Sequence, residues 1–211
     1  MQSSTEIECK YVISFTDKDA AVKEIMSFVD SVADQHLNWR AAVHEDSYYD
    51  TDDRVILKSG SSLRIRNRNG TRKCTFKSHI AVRDGLFERT EDENTVSTDD
   101  VVIALRSMND DSVNAVGRIT SGRELKRTLA VVNHRRKADI IIGDCEIEFV
   151  IDDITYNGIK NELQVEIELM TNEHPEEYER FVKRFEDISK NCKTFIIMPM
   201  TESKYERGMK S

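Results

Sequence analysis

Five segments of this chain alternate charged and apolar residues, and each predicts a β-strand with one charged face and one apolar face. The charged faces consist of Glu6, Glu8 and Lys10; Arg64, Arg66 and Arg68; Lys73, Thr75 and Lys77; Glu146, Glu148 and Asp152; and Glu162, Gln164, Glu166 and Glu168. The opposite faces hold Ile7, Cys9 and Tyr11; Leu63 and Ile65; Ile147, Phe149 and Ile151; and Leu163, Val165 and Ile167. Such strands cannot lie between two apolar layers, because each would bury a row of charges.

The signs of these charges are sorted along the chain, with acidic sets near both ends and basic sets in the middle. A solvated outer face would explain any one strand of an antiparallel sheet, but several such strands together favour a sheet that closes around its charged face. Closure would bring carboxylates, which suit Mg²⁺ or Mn²⁺, next to Arg and Lys, which suit phosphate oxygens. The residues therefore predict a metal–polyphosphate site in a charged interior.

The remaining periodicities predict about ten strands and three helices, which favours a mainly β antiparallel sheet or closed barrel with helices outside. Helices are predicted from Thr16 or Asp17 to about Gln35, from Thr98 to Met108, and from Pro175 onward. The segments 54–58, 123–134 and 138–142 are predicted as separate strands, and 110–111 as a loop. His44 has no partner pattern and is expected to be solvated.

Length and charge limit the classes of partner. A chain of 211 residues with 38% apolar residues can bury one core, so a single domain over residues 1–211 is expected. Its 31 Lys and Arg against 39 Asp and Glu give a net charge of −8, which argues against an extended nucleic-acid partner or an anionic membrane. The lack of a long apolar run and the four scattered cysteines favour a cytoplasmic protein with free thiols.

An ordered series of short motifs resembles the CYTH superfamily, also called triphosphate tunnel metalloenzymes, which includes inorganic triphosphatases, thiamine triphosphatases and class IV adenylate cyclases. The first is Glu6-Ile-Glu8-Cys-Lys10, the Glu-x-Glu-x-Lys signature of that family. It is followed by Tyr48-Tyr-Asp50-Thr, Leu63-Arg64-Ile-Arg66, Thr75-Phe-Lys77, Arg89-Thr-Glu91, His134-Arg-Arg136, Ile151-Asp152-Asp153, Val165-Glu166-Ile-Glu168 and Ser203-Lys204-Tyr205. The resemblance covers nearly the whole chain, from Glu6 to Lys204.

The resemblance implies an eight-stranded antiparallel closed barrel that forms a tunnel, with a triphosphate on basic side chains and divalent metal on carboxylates. By motif, the metal ligands would be Glu6, Glu8, Glu166 and Glu168, with Asp152 as a further ligand. The phosphates would be held by Lys10, Arg64, Arg66, Lys77, Arg89, Arg136 and Lys204. The catalytic set would be Glu6, Glu8, Lys10, Glu166 and Glu168, with Glu91, Glu148 and Asp50 in support. The strand phase leaves Arg135 and Arg136 as alternatives, and Asp50 could equally fix a turn.

The expected activity is Mg²⁺- or Mn²⁺-dependent hydrolysis of a small triphosphate, with inorganic triphosphate ranked above thiamine triphosphate or a nucleoside triphosphate. A class IV adenylate cyclase, which makes cyclic AMP and pyrophosphate from ATP, is the main alternative. A non-catalytic module that binds polyphosphate or nucleotide and an RNA 5′-triphosphatase are the others. The expected partner is a small molecule rather than a membrane, and the protein is expected to be a monomer or homodimer.

Overall fold

Nine antiparallel strands form one sheet in the computed structural model, which describes residues 7–83, 86–170 and 175–210. The strands are β1 (Ile7–Phe15), β2 (Arg40–Asp50), β3 (Ser62–Arg68), β4 (Thr71–Arg83), β5 (Leu86–Val96), β6 (Lys126–Ile142), β7 (Cys145–Tyr156), β8 (Lys160–Leu169) and β9 (Phe195–Pro199). The helices are α1 (Lys18–Val32), α2 (Val55–Lys58), α3 (Val101–Leu105), α4 (Asp110–Thr120), α5 (Pro175–Asn191) and α6 (Lys204–Met209).

The strand order is β5-β4-β3-β2-β6-β7-β8-β1-β9, so β5 and β9 are the two edges. The prediction of an eight-stranded barrel closed on itself is therefore wrong in two respects, because the described sheet has nine strands and hydrogen bonds do not close it. The reason lies at β1, whose second edge pairs with β9 from Tyr11 to Phe15 instead of with β5. The mainly β antiparallel architecture with helices outside is confirmed.

The apolar faces of β1, β7 and β8 point outward and are covered by α1 and α5, as the alternation predicts. Phe149 is fully buried at this interface, where its ring meets the edges of Phe181 and Phe185 at 6.0 and 5.5 Å. Burying one such side chain contributes roughly 1.5–3 kcal/mol. A second cluster lies on the outer side of β3 and β4, where Leu63, Ile65 and neighbouring residues are covered by α2, α3 and α4. These layers leave the charged faces of the strands facing one another.

One end of the charged, concave face is filled by an apolar cluster that includes Tyr48, Leu129, Ile154, Tyr156 and the α6 residue Tyr205. The Tyr48 and Tyr205 rings stack with centroids 5.0 Å apart. Gly208 lets α6 approach this closely, because a Cβ there would collide with the side chains of Leu129 and Tyr156. Helix α6 therefore closes this end of the interior.

Three local predictions were wrong. Segment 54–58 contains the short helix α2 instead of a strand. Asp50 favours the helix, because its Oδ1 accepts from the Ile56 N–H at 2.9 Å and its Oδ2 accepts from the Leu57 N–H at 2.8 Å. In place of the separate strands at 123–134 and 138–142, one 17-residue strand, β6, runs from Lys126 to Ile142. The expected loop at 110–111 begins α4, which Asn109 caps. Within the described residues, no helix has the length and hydropathy needed to cross a membrane.

Candidate functional site

The concave face encloses a cavity of about 250 Å³, hereafter the first cavity, whose lining holds six basic and six acidic side chains. The basic ones are Lys10, Arg64, Arg66, Lys77, Arg135 and Lys204. The acidic ones are Glu8, Glu91, Glu93, Glu166, Glu168 and Glu202. Strands β1, β3, β4, β5, β6 and β8 all contribute, so most of the residues predicted to form the site do meet in one space.

One side of the first cavity, the basic wall, consists of Arg64 and Arg66 on β3 together with Asp46 on β2. Arg66 donates from Nε and Nη2 to the two carboxylate oxygens of Asp46, both at 2.7 Å, and Arg64 Nη1 lies 3.5 Å from Asp46 Oδ2. Burial alone would raise the pKa of Asp46, but the hydrogen bond from Arg66 and the charges of both arginines lower it. Two guanidinium groups thus share one carboxylate, which leaves net positive charge facing the cavity.

Strands β4 and β5 extend this side with paired charges. Lys77 lies 2.7 Å from Glu91, and Glu93 accepts from Lys73 at 2.5 Å and from Thr75 at 3.1 Å. Glu93 was not predicted as a site residue, although it shares the alternation of Glu91. Arg89 lies on β5, but its side chain is outside the described part of the chain.

The opposite side, the acidic wall, consists of Glu8, Asp152, Glu166 and Glu168 on β1, β7 and β8, with the cations Arg135 and Lys204 inserted between them. Asp152 is fully buried and accepts from Arg135 Nε and Nη2 at 2.8 and 2.6 Å. Glu166 lies 2.9 Å from Arg135 and 2.5 Å from Lys204, which is also 3.0 Å from Asp152. The carboxylates of Asp152 and Glu166 are therefore matched by two cations.

This network sets the protonation of its members. Burial would raise the pKa of Glu166, but the charges of Lys204, Arg135 and Lys10 outweigh it and hold that pKa well below its ordinary value. The pKa of Asp152 is lowered in the same way, against burial, by Lys204 and Arg135. Burial opposes the charge of Lys204, but Glu166 and Asp152 raise its pKa. All three groups are consequently ionised near neutral pH.

Strand β6 resolves the choice between the two neighbouring arginines. Arg135 lines the first cavity and lies opposite Asp152 in the strand register. Arg136 lies opposite Ile151, whose side chain belongs to the outer core, so Arg136 points to the outer face of the sheet. The role that was expected for Arg136 therefore fits Arg135.

Three glutamates form a row across the acidic wall. Glu168 on β8 is the register partner of Glu8 on β1 and of Glu148 on β7, so the three side chains emerge side by side. Glu8 also pairs with Lys10 at 2.6 Å, and Glu148 pairs with Lys137. Glu6, which the motif adds to this row, lies outside the described residues.

The row fits a hard divalent cation by its chemistry, since carboxylate oxygens are the donors that Mg²⁺ and Mn²⁺ prefer. As they stand, no three His, Cys, Asp or Glu side chains within residues 7–83, 86–170 and 175–210 are grouped closely enough to hold an ion. Asp152 and Glu166, which were predicted as metal ligands, form ion pairs with Arg135 and Lys204. Glu8, which pairs with Lys10, and Glu168 both line the first cavity and present carboxylates to it.

Lys204 is held in position by the first turn of α6. Ser203 caps this helix by accepting from the Glu206 N–H, and Glu206 accepts in return from the Ser203 N–H. The next residue, Tyr205, donates to Asp50 Oδ2 at 3.0 Å. Asp50 thus fixes the turn after β2 and anchors α6 instead of lining the cavity. The sequence marked Lys204 by its motif, but the short helix that carries it was not predicted.

Comparison with known proteins gives one family and several similar folds. The family model of the CYTH domain matches residues 4–193. The chain resembles the structure of a proposed adenylate cyclase from Bacillus halodurans, with a TM-score of 0.61, 23% identity and 97% coverage of both chains. It also resembles a proposed adenylyl cyclase from Hippeastrum with a dominant triphosphatase activity, with a TM-score of 0.59, 17% identity and coverage of 97% and 95%.

A third similar structure is the PH1819 protein from Pyrococcus horikoshii, with a TM-score of 0.55, 21% identity and coverage of 97% and 99%. At these identities the likeness concerns the fold. No protein of curated function matches the sequence.

Proposed function

Because the chain belongs to the CYTH domain family, we propose that it is a divalent-metal-dependent hydrolase of a small triphosphate, with inorganic triphosphate as the preferred substrate. The observation that carries this proposal is the division of the first cavity into a basic wall and an acidic wall. Phosphoryl transfer asks a protein mainly for positioning and for stabilisation of charge, and these walls offer both.

The balance of charge supports metal dependence. With six basic and six acidic side chains, the lining has no net attraction for a polyanion. A triphosphate carries several negative charges, so the carboxylates of the acidic wall would repel it unless a cation accompanied it. A module that only bound anions would gain nothing from Glu8 and Glu168. This argues against the hypothesis of a non-catalytic module that binds polyphosphate or nucleotide.

In the proposed mechanism, Arg64, Arg66 and Lys77 hold the phosphates from one side, and Arg135 and Lys204 hold them from the other. Arg can bind two phosphate oxygens at once, which fixes the bound triphosphate in one orientation. Mg²⁺ or Mn²⁺ would be held by Glu8 and Glu168, together with Glu6, and would supply charge neutralisation and an activated water. Glu166 keeps Arg135 and Lys204 in place through its ion pairs with them. It does not act as a general base, because a carboxylate with a strongly lowered pKa is a poor proton acceptor at neutral pH.

The decisive experiment is a product analysis by ion chromatography. The protein is incubated with Mg²⁺ or Mn²⁺ and, separately, with inorganic triphosphate, thiamine triphosphate and ATP, each with and without a chelator. Orthophosphate released most rapidly from inorganic triphosphate, and only when metal is present, is the expected result. Pyrophosphate and cyclic AMP from ATP would replace the proposal with a cyclase, and no product from any substrate would overturn enzymatic activity on these compounds.

We further expect the substrate to be a small molecule and not an extended nucleic acid. We also expect the protein to act in the cytoplasm as a monomer or homodimer. The net charge of −8 supports the first of these expectations, since long polyanions would be repelled by the surface as a whole.

A further inference from the structure

A second cavity of about 350 Å³ lies beside the first, on the same concave face. It is lined by Arg40, Ala41, Ala42, His44, Arg68, Arg135, Lys137 and Glu148. Arg68 continues the alternation of Arg64 and Arg66 along β3, and Lys137 continues that of Arg135 along β6. Arg135 lines both cavities and therefore forms their shared wall.

The charge of the second cavity differs from that of the first. Its lining has four cationic side chains and one carboxylate, Glu148, which pairs with Lys137. Arg135 is already matched by Asp152 and Glu166, so Arg40 and Arg68 supply the excess positive charge. Among the described residues, Arg40 pairs only with the solvent-exposed Asp139, at 2.6 Å, and such exposed pairs are weak. Arg68 is solvent-exposed and pairs with Thr71 through the β3–β4 ladder, but its side chain has no hydrogen-bond or ion-pair partner among the described residues. The second cavity therefore attracts an anion without help from a metal.

His44, which lines this cavity, and its buried neighbour Asn133, which does not, both have polar atoms without a hydrogen-bond partner among the described residues. His44 was expected to be solvated, but it is only 5% exposed, and no group in the described part of the chain bonds its Nδ1. Its register partner on β6 is Asn133, which is fully buried with both amide atoms unsatisfied. Leaving such groups unpaired costs about 1–3 kcal/mol each, so their retention indicates a polar occupant.

We propose that the second cavity is a phosphate-binding site that works without divalent metal. Arg68, Arg40 and Lys137 would neutralise the phosphate, and His44 would hydrogen-bond it from the buried side. Burial and the nearby charges of Arg66 and Arg135 lower the pKa of His44 to about 4, against Asp46 and Asp152, so the imidazole is neutral when the cavity is empty and has one donor and one acceptor to offer.

The phosphate could come from two sources: free orthophosphate or the far end of a linear polyphosphate longer than three units. The shared wall at Arg135 permits either source. The binding of phosphate itself does not depend on the proposed hydrolase activity. Only the choice between the two sources rests on that activity.

The first test measures binding by NMR, with inorganic phosphate as the probe and a chelator present throughout. Phosphate at millimolar concentration should shift the side-chain resonances of His44, which are assigned by their loss in His44→Gln. In Arg68→Gln the phosphate affinity should fall about tenfold, because a charge-assisted contact is lost. Arg68→Lys should recover part of it, and Arg106→Gln, which changes an exposed arginine outside both cavities, should have no effect.

No His44 shift with phosphate, or the same affinity in Arg68→Gln as in the parent protein, would overturn the site even if the protein hydrolyses triphosphate. Conversely, phosphate binding in a protein without hydrolase activity would leave the site standing and remove the proposed function.

A second test separates the sources in active protein. If a longer chain reaches the second cavity, Arg68→Gln should raise the ratio of KM for linear tetraphosphate to KM for triphosphate. If free orthophosphate is the occupant, the same variant should instead weaken inhibition by added orthophosphate and leave the ratio unchanged. If Arg68→Gln changes neither the KM ratio nor the inhibition by orthophosphate, the proposal is contradicted.

Discussion

The basic wall and the acidic wall of the first cavity both contain buried carboxylates, but they compensate them differently. On the basic wall, Asp46 receives two guanidinium groups, so one positive charge remains for a ligand. On the acidic wall, Asp152 and Glu166 are matched by Arg135 and Lys204. Glu8 and Glu168 then add negative charge at the cavity surface. Under the proposed function, cations of both walls would hold the phosphates, but only the acidic wall, through Glu8 and Glu168, would hold the metal.

Both walls contain buried carboxylates that hold cations in place, and the acidic wall also has glutamates that a ligand can reach. The buried groups, Asp46 and Asp152, have no solvent exposure of their side chains and hold cations in fixed positions. The glutamates of β1 and β8 lie nearer the cavity surface, where a ligand can reach them. Substitutions on the two walls should therefore have different effects on stability, metal requirement and substrate binding.

The largest effect is expected for Glu8→Gln, which removes a carboxylate from the acidic wall while keeping its size. Metal-dependent turnover should fall by on the order of a hundredfold to a thousandfold, since cation binding supplies several kcal/mol of transition-state stabilisation. Steady-state kinetics over a Mg²⁺ titration would measure it. Glu179→Gln on the exposed surface of α5 is the matched control. Full activity of Glu8→Gln would remove this residue from the proposed cation site.

The next effect concerns stability. Lys204→Met leaves Asp152 and Glu166 with a single cation, Arg135, and should lower the free energy of unfolding by about 3 kcal/mol. The double variant Lys204→Met/Glu166→Gln restores the balance of charge and should be more stable than the single variant. Urea denaturation would compare them. Equal stability of the two would show that charge balance does not govern this wall.

Acid should weaken both walls together. Folding lowers the pKa of Asp46, Asp152 and Glu166, so each contributes stability that is present above its ordinary value of 3.8 or 4.5 and is lost as pH falls through the folded value. The free energy of unfolding should therefore decrease as pH is lowered below about 4.5. Each unit of lowered pKa is worth about 1.4 kcal/mol. Asp46→Asn should make the profile less steep, and an unchanged slope would contradict the assignment.

A smaller effect is expected on the basic wall. Arg66→Gln leaves Asp46 matched by Arg64 alone and removes the positive charge that faces the cavity. KM for triphosphate should rise about tenfold while the concentration of metal needed for half activity stays the same. A shift in metal requirement in place of KM would break the division between the walls.

The smallest effect tests the support of Lys204. Ser203→Ala removes the N-cap of α6 and should cost about 1 kcal/mol of stability. Thermal unfolding would detect it, with Ser97→Ala at an exposed position as the control. A loss of stability without any change in activity would mean that Lys204 does not depend on this cap.

Much of the fold and site could be predicted because alternation is a local property. A strand turns successive side chains to opposite faces, so the sequence alone separated Glu8 and Lys10 from Tyr11, and Glu166 from Val165. The sorted signs of the charged faces then indicated a mixed cation and anion site. Asp46 could have been found in the same way, since it shares the alternation of Tyr48 along β2.

Other features depended on contacts between distant segments, which alternation does not encode. Whether Arg135 or Arg136 faces the interior depends on the phase of β6, which its pairing with β7 decides. Whether the sheet closes depends on β9, which occupies the free edge of β1. Asp50 became a turn and helix anchor because α6 packs above it.

Which residues share a strand face, and what charge each face carries, can be worked out from the amino-acid order, because they follow from the geometry of an extended backbone. Which charges meet depends on how the strands pair and pack. The distribution of Arg135 and Lys204 between Asp152 and Glu166, and the lack of any partner for Arg68 among the described residues, are set by strand register and by the packing of α6. Electrostatic energy depends on separation in space, and separation along the chain does not fix it.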